Sequence, residues 1–435
     1  MSFLPALPKK WASSPLKHAC YLNPEVLPDS TPADTELEYV DIAALEGGTA
    51  DLSPKPLTFA TAPSRARRVL RDGDTILSTV RTYLKAVATF PNVESKLIAS
   101  TGFAVVRPNG RLHSKFAYWA VLCEPFIEGV VANSEGVSYP AINPSVLGRL
   151  HVVVPPLVDQ ERIANFLDEK TAGIDALIAE KERLVDTLAE WKAAELTRIS
   201  FGEGEAGVPT GNAWIPVLPR RWRLSRLKHL VLGIEQGWSP ECEARMADEE
   251  EWGVLKAGAA NGGVYREDEH KALPVSLDPL PELEVKPGDV LVTRASGTAA
   301  YVGSFAYVYA TRPKLMLSDK NFRVRFGPHP VLAPELLAWM CNTRALREQV
   351  LQYVSGADGL AKNVGSGNLK ELWLAVPPAN EQPRLLSKLH TRTTQLAGLE
   401  QHLVQHIDRL REYRSSLISA AVTGQLDIST FKAAA

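Results

Sequence analysis

Leucine recurs every seven residues near the end of the chain, at Leu389, Leu396, Leu403, Leu410 and Leu417, with Leu399, Tyr413 and Ala420 at the companion position three later. A seam sustained this long predicts one long helix whose apolar stripe is covered by another helix. The stretch from about Asp159 to Ser200 keeps the same frame 222 positions earlier. There Leu167, Ile174 and Leu188 hold one seam position and Leu177, Leu184 and Trp191 the other, while Lys181 and Glu195 interrupt it. Ile163, Phe166, Ile178 and Val185 widen that apolar face. About 40 helical residues make a rod of roughly 60 Å, which does not stand alone in water. The nearest complementary surface is the other helix.

The rest of the chain reads as short strands. Thr75–Val80 follows Gly73-Asp74 and Val290–Thr293 follows Gly288-Asp289, each a turn dipeptide feeding an apolar run that ends in Arg81 or Arg294. Phe103–Arg107 and Phe322–Phe326 form a second predicted strand in each half. In the latter, Phe322, Val324 and Phe326 face one way and Arg323 and Arg325 the other.

These halves are copies. Leu7-Pro8-Lys9-Lys10-Trp11 with Leu16-Lys17-His18 returns 211 positions later as Leu218-Pro219-Arg220-Arg221-Trp222 with Leu227-Lys228-His229. Val154-Pro155-Pro156 with Gln160 and Arg162 returns 222 positions later as Val376-Pro377-Pro378 with Gln382 and Arg384. The slip in offset concentrates variation in the middle of each copy, as suits two readers on one frame. The predicted fold class is α+β: two similar globular domains joined by two long helices forming an antiparallel coiled coil about a pseudo-twofold axis. The boundaries expected are domain one over 1–157, helix one over 158–202, linker and domain two over 203–378, helix two over 379–428 and a tail over 429–435.

Composition fits a folded protein: 435 residues, 45% hydrophobic and 23% charged, too long for one ordinary core. Cys20, Cys123, Cys242 and Cys341 lie far apart without a Cys-x-x-Cys, which speaks against a disulfide framework and a cysteine zinc site. His402 and His406 have helix-face ligand spacing but no Glu follows His402, so no metal site is assigned. No apolar run approaches the roughly 20 residues of a membrane span, and no charged-then-apolar leader opens the chain. A cytoplasmic location without membrane contact is expected.

The net charge of −2 hides a local excess. Between Ser64 and Lys115 ten basic residues face three acidic ones. A DNA reader needs cations for phosphates and planar donors for base edges. Candidates are Arg65, Arg67, Arg68, Arg81, Lys85 and Arg107 in copy one, and Arg294, Lys320, Arg323 and Arg325 in copy two. Ser134, Gly136, Ser355, Gly356 and Asn363 lie in polar loops that can bring backbone amides to phosphate. A solvated sheet face and ordinary turns are the competing readings of the same residues. Trp11 and Trp222 read as core anchors.

Four signals occur twice in the same order: the Leu-Pro-x-x-Trp opening with Leu-Lys behind it, the Gly-Asp strand, Val-Pro-Pro with Gln-x-Arg, and the long helix. With this double set the chain resembles, over nearly all its length, the specificity subunit of Type I restriction-modification systems. The resemblance implies two target recognition domains, each reading one half of a split, asymmetric site in double-stranded DNA. It also implies a coiled coil that holds two methyltransferase subunits and, through them, the restriction/translocase subunits. S-adenosylmethionine, ATP and magnesium would belong to those partners, and this chain would bind no cofactor. Two positions depart between the copies: Pro383 stands where Glu161 matches, and Thr79-Val80 delays Arg81 relative to Arg294.

No catalytic residue is assigned. Both Pro-Pro pairs follow valine, where an amino-methyltransferase turn needs Asn or Asp, and no phosphate-binding Gly-x-x-x-x-Gly-Lys-Ser/Thr is present. The Pro28-Asp29 pair lacks the carboxylate and lysine of a metal nuclease. A self-sufficient methyltransferase or nuclease and a coiled-coil scaffold without a DNA role are the alternatives.

Overall fold

The computed structural model describes residues 4–45, 55–93, 96–202, 206–356 and 361–431. The chain divides into two units, and the first is built from both ends: Met1–Arg183 with Val404–Ala435, against Leu184–Leu403.

The first unit carries a four-stranded sheet in the order Cys20–Leu22, Phe103–Pro108, Asp74–Ser78, Val87–Phe90. The second repeats it as Gly233–Gln236, Asn321–Arg325, Val290–Thr293, Phe305–Tyr307. Both strands that follow Gly-Asp are buried on both faces, which is why their apolar runs are unbroken. A smaller sheet containing one parallel pair accompanies each: Glu36–Val40 beside Leu97–Ser100, and Gly253–Leu255 beside Leu315–Met316. A ribbon joins the ends of each copy, Ala12–Pro15 against His151–Val154 and Arg223–Arg226 against Trp373–Val376.

The repeated glutamine behind Val-Pro-Pro acts as a latch. Gln160 donates to Pro155 O at 2.8 Å and Arg111 O at 3.0 Å and accepts from His113 N at 2.7 Å. Gln382 does the same with Pro377 O, Val331 O and Ala333 N, at 3.1, 2.9 and 2.7 Å. Both are buried. Each amide ties the start of a long helix to the loop before a short one.

The long helices span Leu157–Ser200 and Gln382–Val422, against the 158–202 and 379–428 read from sequence. Gly202 and Gly424, in left-handed conformation at φ +64° and +70°, close them. A Cβ on Gly202 would sit 3.0 Å from the Trp222 ring, and one on Gly424 2.9 Å from that of Trp11. The two tryptophans of the repeated motif are thus the seats on which helix ends rest.

Within each unit the two helix segments run antiparallel. Arg414 reaches Asp175 and Arg411 reaches Glu182, both at 2.7 Å, in the first unit. In the second, Lys192 lies 3.5 Å from Glu400 and Arg392 3.3 Å from Glu195. Leu167, Leu389, Leu396 and Leu417 are buried, and Ile174, Leu188, Leu403 and Leu410 are half-buried. The companion position differs from the sequence reading. Leu177, Leu184, Trp191 and Leu399 are 41%, 47%, 45% and 53% exposed, and the covered positions fall four residues after each leucine. Counted from the seven-residue frame, Lys181 and Glu195 included, those positions are Thr171, Ile178, Val185, Lys192 and Ile199 on one helix and Thr393, Glu400, Ile407, Arg414 and Ala421 on the other. A covered stripe alternates steps of three and four, and here polar side chains joined by interhelical ion pairs occupy several of the four-step sites. Apolar content alone therefore pointed to the wrong neighbours.

Cys20, Cys123 and Cys341 are buried and Cys242 is half-buried, all as free thiols, and burial pushes Cys20 and Cys123 up to about 12. Among the described residues, no helix is long and apolar enough to cross a membrane.

Candidate nucleic-acid interface

In the first unit the strand Asp74–Ser78 leaves the sheet at Thr79, whose N–H donates to Gly102 O at 2.8 Å. The chain then makes a tight turn, Thr82–Leu84, bracketed by Arg81 at φ +49° and Lys85 at φ +52°. Two side-chain-bearing residues in the left-handed region are a strained pair, and the surroundings must hold them there. A second loop supplies the hold. Glu135 pairs with Ala141, Ala141 pairs with Val80, and the Thr82 and Ser134 hydroxyls meet at 2.8 Å. Gly136 takes φ +108°, where a Cβ would come within 3.1 Å of Tyr139 O. The Arg81 guanidinium lies over the Tyr139 ring, 5.1 Å from its centroid. Lys85 is bonded to Glu124.

Arg81, Lys85, Ser134 and Gly136, far apart in sequence, are therefore neighbours. Arg65 is exposed and its O accepts from Thr101 N, next to Gly102, so it joins the same end of the unit. Arg67 bonds Ala66 O, sits 3.4 Å from Asp29 and covers the Phe59 ring. Arg68 is half-buried; its Nε has no partner among the described residues, and burial lowers its pKa.

The second unit assembles a matching edge with other residues. Arg294 N donates to Lys320 O at 2.8 Å and its own O accepts from Val364 N at 3.1 Å. Ala295 pairs with Asn363, which pairs in turn with Ser355. Gly356 has φ +133°, matching Gly136 in the first unit. Arg294, Lys320, Ser355, Gly356 and Asn363 thus come together; residues 357–359 of that loop lie outside the described residues. Asp319 sits among them, 2.9 Å from Lys320 and 3.9 Å from Arg294. Burial alone would raise its pKa, but Ser239, Lys320 and Arg294 outweigh burial and hold it below the usual value.

Two expected DNA contacts are not on these edges. Arg107 spends Nε and Nη2 on Asp74, at 2.8 and 2.7 Å, and Nη1 on Glu25 at 3.3 Å. Arg323 is buried, its side chain 3% exposed, with Nε on Glu235 at 2.7 Å and its remaining nitrogens on Asp289, Glu284 O and Glu282 O. Burial disfavours that charge, yet Glu235 and Asp289 raise its pKa overall. The alternation in Phe322–Phe326 does not make a basic face, because the segment Glu282–Glu284 covers the arginine side. Arg325 alone of that strand's cations is exposed, 3.8 Å from Glu235.

Comparison with known proteins follows the same lines. No family model matches the chain. It is 35% identical over 176 residues to the type I restriction enzyme EcoEI specificity subunit of Escherichia coli, covering 40% of this chain and 29% of that subunit. It is 22% identical over 330 residues to the EcoKI specificity subunit of Escherichia coli strain K12, covering 74% of this chain and 68% of that one. A solved chain from a study of complex assembly and conformational transition in the type I R-M system superposes with a TM-score of 0.71. That likeness has 23% identity and covers 97% of this chain and all of the other. The HsdS subunit from Thermoanaerobacter tengcongensis gives 0.51 at 24% identity, over 97% and 99%. In sequence the chain is similar to type I specificity subunits, spanning under a third of one and about two thirds of the other, and its fold is that of the solved type I chains.

Sequence reasoning missed part of these edges. Tyr83, Val137 and Tyr139 stand on the first unit's loops, 53%, 102% and 65% exposed. Tyr301 in the second is 43% exposed, and Lys362 Nζ donates to Gly356 O at 2.8 Å. A usable signal existed in Arg81-Thr82-Tyr83-Leu84-Lys85, where aromatic and basic residues interleave in the variable middle of a copy.

Proposed function

We propose that this chain is the non-catalytic, sequence-reading component of a type I restriction-modification complex, each globular part contacting one half of a bipartite, asymmetric DNA site. One observation carries the reading: the same sheet edge recurs in both units, cation-bearing each time but built from different side chains. A shared frame with unlike edges suits two unlike half-sequences. Methyltransferase subunits would hold the long helices; in the second unit Leu184 and Trp191, seven residues apart, are exposed for a partner to cover. S-adenosylmethionine, ATP and magnesium would act in those partners.

The test has two parts. The full chain with its partner subunits binds duplex DNA with affinity that falls steeply as salt rises, and salt-insensitive or absent binding would favour a scaffold. The purified chain alone, given DNA, S-adenosylmethionine, ATP and magnesium, neither methylates nor cuts; turnover would favour a self-sufficient enzyme.

A further inference from the structure

The second unit contains a cavity of about 710 Å³ between the end of the first long helix and the globular part. Its globular side is aromatic, with Tyr265, Tyr307, Tyr309 and Trp339. Several of these rings are held in place. The Tyr265 and Thr311 hydroxyls meet at 2.7 Å, the Tyr309 hydroxyl donates to Glu335 at 2.6 Å, and the Tyr307 and Tyr309 rings meet edge to face at 4.8 Å. Room between the walls comes from Ala189 and Ala193 on the long helix and Ala338 on the short helix Pro334–Cys341.

The first unit shows what occupies the corresponding place there. Gln160 and Gln382 bond the residues just before the two short helices, His113 and Ala333, so Tyr118 and Ala338, each five positions on, correspond. Along the long helices the 222-residue frame matches Arg411 with Ala189, Arg414 with Lys192 and Ser415 with Ala193. Copy one therefore has a tyrosine, an arginine and a serine where copy two has three alanines. Its Tyr118 ring packs edge to face on Trp119 and reaches Arg414, which is bonded to Asp175 at 2.7 Å. In copy two the indole and a cation are kept, as Trp339 and Lys192, without the ring that joined them. One polar atom is also left over. Thr171 Oγ1 donates to Leu167 O at 2.6 Å, whereas the matching Thr393 Oγ1, on the cavity wall, is buried with no hydrogen-bond partner among the described residues. Buried hydroxyls are rarely left so.

We infer that this cavity binds an aromatic ring bearing a hydrogen-bonding oxygen, a phenol-like guest standing in for the tyrosine that copy two lacks, with Trp339 and the tyrosines against its ring and Lys192 and Thr393 available to its oxygen. The volume lies in the range of sites that take small organic ligands, and edge or offset contacts with fixed rings favour an aromatic guest over an aliphatic one. Such a ring arrives either as a free small molecule or as a side chain of a bound protein. The site is independent of the DNA-reading role proposed above.

The test is binding of p-cresol and of N-acetyl-L-tyrosinamide to the full chain, by calorimetry and saturation-transfer NMR, with cyclohexanol as the aliphatic control. Both phenols bind saturably, and cyclohexanol binds at least about 10-fold more weakly. Ala338→Tyr rebuilds the copy-one ring inside the cavity and lowers phenol affinity by at least about 10-fold. Ala193→Phe, on an exposed helix face, closes the opposite wall without disturbing the core and has the same effect. Melting curves verify that each variant is folded. Repeating the titration with methyltransferase subunits bound separates the two sources: loss of phenol binding assigns the cavity to a partner's side chain, and retention assigns it to a free molecule. That arm alone rests on the proposed partnership. No saturable phenol binding, equal binding of cyclohexanol, or undiminished affinity in a folded variant overturns the inference.

Discussion

Asp74 and Asp289 stand at the same place in the two units, directly after the repeated glycine, and an arginine clasps each. In the first unit it is Arg107, at the solvent side of its strand, sharing Asp74 with no other side chain and Glu25 with Arg71. In the second it is Arg323, enclosed between Glu235, Asp289 and two backbone carbonyls. The neighbouring strands place Val106 against Thr75 and Val324 against Val290, so Arg323 sits two residues nearer the strand start than Arg107 does by that register. One carboxylate has been satisfied by two different routes. A basic residue on a strand is therefore a candidate for DNA only after the carboxylates within its reach have been counted.

The largest expected losses are at these two arginines. Arg323→Ala removes an enclosed guanidinium from Glu235 and Asp289, 29% and 19% exposed, and from two carbonyls, and should cost the second unit about 3–5 kcal/mol. Arg107→Ala leaves Asp74, 0% exposed, without its guanidinium and should cost the first unit a similar amount, about 3–5 kcal/mol. Amide hydrogen exchange resolved by unit measures both, and a loss below about 1 kcal/mol in either would remove that clasp from the account. The latches should cost less. Gln160→Ala and Gln382→Ala should each cost about 1–3 kcal/mol, nearly the same in either unit, because the three hydrogen bonds are alike; a twofold disparity would show that the copies have diverged there too.

The helix pairs differ in acid. In the second unit Arg198, with Arg392 adding, holds Glu195 down to about 2 against the opposing effect of burial. Its folded value lies below the ordinary 4.5, so its contribution is complete above about 4.5 and is lost as pH falls through about 2. Acid titration followed by circular dichroism should therefore show a shallower fall in stability between those values for Glu195→Gln than for wild type. Identical curves would remove Glu195 from the account. The smallest effect is expected at the exposed pair of the first unit, where Glu182→Gln, opposite Arg411, should change stability by less than about 1 kcal/mol.

Much of this was legible in the sequence, for physical reasons that name its limits. The strands after Gly-Asp were readable because both faces are buried and the apolar run is unbroken. The leucine positions were readable because they recur every seven residues. Their companions were not, since Lys192 and Glu400 sit at half-covered sites and answer each other by charge, as Arg414 answers Asp175, while Leu177 and Leu399 are apolar and exposed. Arg81, Lys85, Ser134 and Gly136 were singled out separately, and the structure joins them. The burial of Arg323 could not be read from its own strand, because the segment that covers it comes from outside that strand.

The first unit draws its final helix from the far end of the chain: Leu417, Ile418, Ala421 and Val422 enter the same core as Leu16, Phe116 and Leu167. On the ribosome this has a consequence in time. The nascent first copy emerges with that apolar flank bare and must wait, while the whole second copy is translated, for the segment that seals it. The second unit, contiguous from Leu184 to Leu403, owes nothing to later synthesis. The core begun first is thus the one whose last apolar residues are made last.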